Sequence, residues 1–330
     1  MSHNRFLLAA SLVLVFVPAA HAAASTPTAL NPRCTWFLHP PAASPGPRAS
    51  MACAYDPVSH KVVIFGGYDS TSYLQETWTY DGSAWTLESP QVSPPARAAS
   101  SMAFDAVTHR LVLFGGYNGT YLGDTWLWDG STSQWTNANP SNAPQAVTGP
   151  MLFTDPLNGH VDVYGGFKPP FYQLTTYQWD GSTWQQLHPN TSPFARAAGI
   201  VALDRAHHQV VLFGGLGNVN PNNTWTWDGV DWTQQNPTTQ PPLRYDSSAA
   251  FEPHLGNVVL FGGGSGGTDI ADTWRWTGTD WQMLNPLHSP AARESFALAY
   301  DDALGTFVLF GGENPAVSQF NDTTWFAVRP

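Results

Sequence analysis

The chain has 330 residues, of which only 11% are charged, with 24 acidic against 13 basic side chains and 15 tryptophans. A net charge of −11 argues against nucleic acid and anionic membranes as partners of the bulk surface. Residues 1–24 carry Arg5, an uncharged apolar run from Phe6 to Val17 and then Ala20-His21-Ala22, the order of a secretory signal. That run is too short to span a bilayer, and no cysteine marks a lipid-attachment point. The expectation is an exported, secreted or periplasmic domain, with no membrane span and a monomeric state.

From residue 31 onward the chain is a repeat array. Phe65-Gly66-Gly67, Phe114-Gly115-Gly116, Tyr164-Gly165-Gly166, Phe213-Gly214-Gly215, Phe261-Gly262-Gly263 and Phe310-Gly311-Gly312 recur at spacings of 48–50 residues. An arginine stands 18 residues before the first glycine in five units, as Arg48, Arg97, Arg196, Arg244 and Arg293, with Val147 in the third. An acidic residue stands ten before it in all six: Asp56, Asp105, Asp155, Asp204, Glu252 and Asp301. The units begin near residues 48, 97, 147, 196, 244 and 293.

Each unit reads as four short strands, with no helical periodicity. In the first they are a, Ala49 to Tyr55; b, the fully apolar Val62 to Phe65; c, Thr77 to Tyr80; and d, Trp85 to Leu87. Asp81-Gly82 between c and d is a two-residue hairpin signal. All 15 tryptophans fall on repeat positions of strands c and d, which assigns them to packing between units. The last unit lacks its strand d, while Trp36 lies 12 residues before Arg48, the spacing of every other strand-d tryptophan. Thr35 to Leu38 is therefore expected to pair with Thr324 to Val328. The fold expectation is an all-β, six-bladed propeller of four-stranded blades, closed by the N-terminal strand.

The Phe-Gly-Gly, Thr-Trp-x-Tyr-Asp and strand-d tryptophan positions resemble kelch repeats, from about Arg33 to the C-terminus. Propellers of this kind include the central domain of galactose oxidase, sialic acid mutarotases, plant specifier proteins and protein-binding adaptors, so the resemblance implies a scaffold without fixing a reaction. In protein-binding kelch domains arginines at this motif position line the partner pocket, which implies the same for Arg48, Arg97, Arg196, Arg244 and Arg293.

The topology sorts the loops by face. The arginines and the segments after each Gly-Gly share one rim, the arginine face, and loops on a rigid ring carry binding. Aromatic side chains concentrate in its first three b–c segments, at Tyr68, Tyr73, Tyr117, Tyr121, Phe171 and Tyr172. These either form a lopsided site or pin their own loops. The arginines either tie loops to carbonyls and to Glu76, Asp124, Asp272 and Asp322, or present an anion site at the channel mouth with a neutral gap at Val147.

On the opposite face His60, His109 and His208 are in register with Gly159, Gly256 and Gly305, which marks a turn position of positive φ and not a metal site. Cys53 falls on an apolar strand-a position and Cys34 on the outer c–d turn, too far apart for a mutual disulfide. No catalytic or cofactor motif is present, and the copper-radical site of galactose oxidase has no counterpart. The reading is a binding or interaction module for a protein or glycan ligand, anionic ligands included. The alternative is a carbohydrate-active enzyme such as an acidic-sugar mutarotase or isomerase.

Overall fold

The computed structural model describes residues 35–41, 43–314, 319–320 and 324–328, with side-chain surroundings up to residue 314. Residues 1–24, Cys34 and Asp322 lie outside it. Every described element is a strand. In the first unit Ala52–Asp56, Lys61–Phe65, Thr77–Tyr80 and Trp85–Leu87 pair antiparallel in the order a-b-c-d. Strand a begins at Ala52 instead of Ala49 because Ser50 adopts a positive φ of 58°, which breaks the extended run. Ala49 bridges Tyr68 separately.

The expected count of six blades is corrected to five. Five four-stranded sheets are complete blades, each a contiguous run of chain. The remaining four-stranded sheet is composite: Ala297–Asp301, Thr306–Phe310 and Thr324–Val328 take Thr35–His39 from the other end of the chain as outermost strand. Its joint also departs from the others. At four joints the strand-d indole donates to the threonine that opens strand c of the preceding unit: Trp135 to Thr77 (2.8 Å), Trp184 to Thr125 (2.8 Å), Trp232 to Thr176 (3.1 Å) and Trp281 to Thr224 (2.9 Å). Trp36 Nε1 and Thr273 Oγ1, the corresponding pair, are both buried without a hydrogen-bond partner.

The core lies between units. Strand b is buried on both faces, and its last aromatic packs on the strand-d tryptophan of the next unit: Phe65 on Trp135, Phe114 on Trp184, Tyr164 on Trp232 and Phe213 on Trp281, with ring centroids 5.2–5.5 Å apart. Trp36 packs on Phe261 at 5.3 Å and Trp85 on Phe310 at 5.0 Å, so the same contact runs through the closure. Each such side chain stabilises by roughly 1.5–3 kcal/mol through burial.

The glycine pair makes the joint between units. At the first glycine a Cβ would lie 2.4–2.9 Å from the backbone carbonyl of the next unit, as Gly66 against Arg97 and Gly214 against Arg244 show, and φ is positive throughout. The second glycine donates its N–H to that carbonyl, from Gly67 to Arg97 O (2.9 Å) round to Gly312 to Arg48 O (2.9 Å). A second ring runs inside it. Ser50, Ala99, Gly149, Ala198, Asp246 and Ser295, all at positive φ, each accept an N–H from the next and donate to the one before, and Ser50 N to Ser295 O (2.7 Å) closes the circle.

Candidate functional site, the loop face

On the arginine face each b–c segment is anchored at its start. The residue after the arginine pairs with the residue after Gly-Gly in every unit: Ala49 with Tyr68, Ala98 with Tyr117, Thr148 with Phe167, Ala197 with Leu216, Tyr245 with Gly264 and Glu294 with Glu313. Several of these segments, read as loops from the sequence, are small hairpins, such as Phe167–Lys168 with Phe171–Tyr172 and Gly264–Ser265 with Thr268–Asp269.

The arginines sit beneath these hairpins, 0–3% exposed. Each donates from Nε to the carbonyl two residues before it, as Arg97 to Pro95 O (3.0 Å), and from Nη1 to the first glycine, as Arg97 to Gly115 O (3.1 Å) and Arg244 to Gly262 O (3.0 Å). The carboxylate foreseen from the spacing completes the set: Arg48 reaches Glu76 at 2.7 Å, Arg97 grips Asp124 with two bonds of 2.7 Å, and Arg244 grips Asp272 at 2.5 and 2.9 Å. The strand-c tryptophan donates to the same carboxylate, Trp78 to Glu76, Trp126 to Asp124 and Trp274 to Asp272. Burial pushes the Asp124 carboxyl up, but the Arg97 guanidinium and the Trp126 indole hold it below its ordinary range. In the fourth unit Arg196 meets only neutral acceptors, Gly214 O (3.1 Å), Pro221 O (3.3 Å) and Asn223 Oδ1 (2.9 Å), and burial brings its pKa down to about 10. Arg293 donates to Ala291 O and Gly311 O. Each of the five guanidinium groups therefore serves a joint inside its own unit.

The third unit lacks the whole set. Val147, Thr175 and Tyr177 replace arginine, carboxylate and tryptophan, and a cavity of about 120 Å³ lies among them. Tyr164, where the other units have phenylalanine, donates to Pro193 O (2.7 Å).

Two arcs distinguish the surface. On the first two units Tyr68, Tyr73, Tyr117 and Tyr121 are half-buried and form one chain of ring contacts: Tyr68 to Tyr73 at 5.4 Å, Tyr73 to Tyr117 at 6.0 Å across the blade boundary, and Tyr117 to Tyr121 at 4.9 Å. Their ring contacts tie together their own hairpins, the pinning foreseen, and also join the two units across the boundary. In the third unit Tyr172 packs on Phe167 with ring centroids 4.5 Å apart, while Phe171 is 65% exposed.

The other arc was missed in the sequence. Asp246, Asp269, Glu294 and Glu313 gather on the fifth and sixth units. Burial and Glu313 push Asp246 up to about 7, and burial with Asp246, Asp269 and Glu313 pushes Glu294 up to about 8. Gly264 makes room for this. A Cβ there would fall 1.8 Å from Glu294 Oε2, so the carboxylate takes the place that tyrosine, phenylalanine or leucine fills in the first four units. The signal was present in register: Asp246 shares its column with Ser50, Ala99, Gly149, Ala198 and Ser295, and is the one charged member. Between the arcs a channel of about 190 Å³ runs inward, lined by strand-a residues of all six units, Cys53 among them as a free thiol. Burial raises the Cys53 pKa to about 12, which disfavours its thiolate.

On the opposite face the repeated acidic residues cap the a–b turns, as Asp105 does by accepting Val107 N (3.0 Å) and Thr108 N (2.7 Å). His60, His109 and His208 have φ of 51–55° and Gly159, Gly256 and Gly305 of 64–80°, as their register predicts.

Residues 29–189 match the family model described as the KLHDC2/KLHL20/DRC7 Kelch-repeats domain. The solved structure "Structure of YjhT" superposes with a TM-score of 0.67 at 16% identity, covering 86% of this chain and 95% of that one, a likeness of fold. No curated protein matches the sequence.

Proposed function

We propose that this chain is a Kelch-repeat β-propeller protein, acting as a binding module whose polypeptide ligand docks on the arginine face. The observation that carries this reading is the tyrosine arc. Four half-buried tyrosines in continuous ring contact across a blade boundary present rigid amphipathic surface at low entropic cost, the composition of binding hot spots. The carboxylate arc on the adjoining fifth and sixth units favours a neutral or basic ligand. The arginines support the site from below, since their groups are held by acceptors inside their own units.

The test is selection from a peptide library on immobilised protein, followed by affinity and melting measurements on variants. Tyr73→Ala is expected to weaken a selected peptide by about 1.5–3 kcal/mol with little change in Tm. Arg97→Ala should instead lower Tm, because Asp124 and Gly115 O lose their partner. Leu157→Ser, on the opposite face, should leave binding unchanged. Peptides that bind Tyr73→Ala and the parent equally would exclude the arc as the site.

A further inference from the structure

We propose that the third repeat unit forms an arginine slot without its own arginine, and that this slot receives the guanidinium group of an arginine side chain on the binding partner. The internal repeats supply the argument. In five units two carbonyls hold a guanidinium, that two residues before the arginine and that of the first glycine, and in four of them the side chain 27 or 28 residues on joins them. In the third unit these positions are Gln145 O, Gly165 O and Thr175 Oγ1, and all three residues line the 120 Å³ cavity beside Val147.

The acceptors are in place and unused. Gly165 is buried, and no hydrogen bond reaches its carbonyl oxygen or that of Gln145 among the described residues. A buried carbonyl without a donor costs about 1–3 kcal/mol, so a group that satisfied it would gain accordingly. The backbone is also the one that carries arginine elsewhere. Val147 N donates to Leu122 O (3.0 Å) and Val147 O accepts Gly116 N (2.8 Å), as Arg97 N does to Leu74 O (3.0 Å) and Arg97 O from Gly67 N (2.9 Å).

The missing carboxylate is no obstacle, because Arg196 is held by neutral acceptors alone and stays charged at neutral pH. The flat, forked guanidinium matches two carbonyls and a hydroxyl better than a compact ammonium does. Access is open on the outer side, where Gln145 is exposed and Gln173 half-exposed. Leu174 and Phe171 stand exposed on the same hairpin, apolar neighbours for the residues flanking the inserted arginine. The proposal deepens the loop-face reading, and rests on it only in assigning the guanidinium to a polypeptide.

A small probe tests the slot by itself. The full chain is titrated with N-acetyl-arginine amide, with its lysine and citrulline counterparts as controls, while the backbone amides of Gly165, Thr175 and neighbours are followed by NMR. Saturable shifts confined to this unit are expected for arginine amide, with lysine amide weaker and citrulline amide weaker by about tenfold or more, the loss of a charged hydrogen bond. Val147→Arg should fill the slot from within, raise Tm and abolish the shifts. Thr175→Asp, which restores the carboxylate of the neighbouring units, should tighten the probe by about tenfold and keeps the test decisive if Val147→Arg does not fold. Absence of saturable shifts in the parent, or shifts that Thr175→Asp leaves no tighter, would overturn the slot whatever becomes of the tyrosine arc. A slot that binds the probe while Tyr73→Ala leaves peptide affinity untouched would sink the arc and keep the slot.

Discussion

At the scale of single residues, the repeat makes each departure from its own column readable. Asp162 is fully buried on strand b, where the other five units carry Val63, Val112, Val211, Val259 and Val308. Gln178 donates to its Oδ1 at 2.9 Å, but Oδ2 has no partner, and burial with the neighbouring Asp155 carboxylate pushes its pKa well above the ordinary range. Asp155 has three further donors, Leu157 N, Asn158 N and Trp227 Nε1. Asp162→Val should therefore stabilise the fold by about 1–3 kcal/mol at neutral pH. The sign with pH follows from linkage. A carboxyl whose folded pKa is raised contributes its stability below the unfolded pKa and loses it as pH rises through the folded one. The gain in Asp162→Val should accordingly be larger at pH 8 than at pH 5 in urea unfolding, and a gain that shrinks with pH would show that Asp162 is held as a favourable ion.

At the scale of elements, the strands were legible because one pattern is written six times, and a column of Val, Phe-Gly-Gly and Trp survives local noise. The composite sheet shows where the pattern stops informing. Spacing placed Trp36 correctly against Thr324 to Val328, yet not the loss of its indole hydrogen bond, which depends on how two chain ends meet in space. Trp281 donates to Thr224 at 2.9 Å, while Trp36 and Thr273 remain unpartnered. Trp281→Phe should thus cost about 0.5–1.5 kcal/mol more than Trp36→Phe, the worth of one net hydrogen bond. Equal losses in chemical unfolding would place the difference between the two joints in packing alone. The hairpins after Gly-Gly were illegible for a related reason: their pairing is dictated by the ring of joints, and their own residues, such as Tyr68-Asp69-Ser70-Thr71, read as turns.

At the scale of the whole molecule, the same loop face carries tyrosines on the first two units and carboxylates on the adjoining fifth and sixth, and only the tyrosines could be read in advance. Aromatic residues announce themselves in any loop, whereas Asp246, Asp269, Glu294 and Glu313 are scattered along 68 residues of sequence and become a cluster only when the ring brings their units together. Asp246, at about 7, and Glu294, at about 8, thus cross from protonated to ionised over the range where proteins work. Both are raised above their unfolded values, so their stabilising contribution is full in acid and lost as pH rises through 7 to 8. The parent should melt lower at pH 9 than at pH 6. The double variant Asp246→Asn and Glu294→Gln should flatten that slope and gain about 1–2 kcal/mol at pH 9, a few degrees in Tm, since both groups keep some contact with screening solvent. Melting curves for parent and variant that run parallel from pH 5 to pH 9 would show that the carboxylates ionise without cost, and that the acidic arc is an ordinary solvated surface.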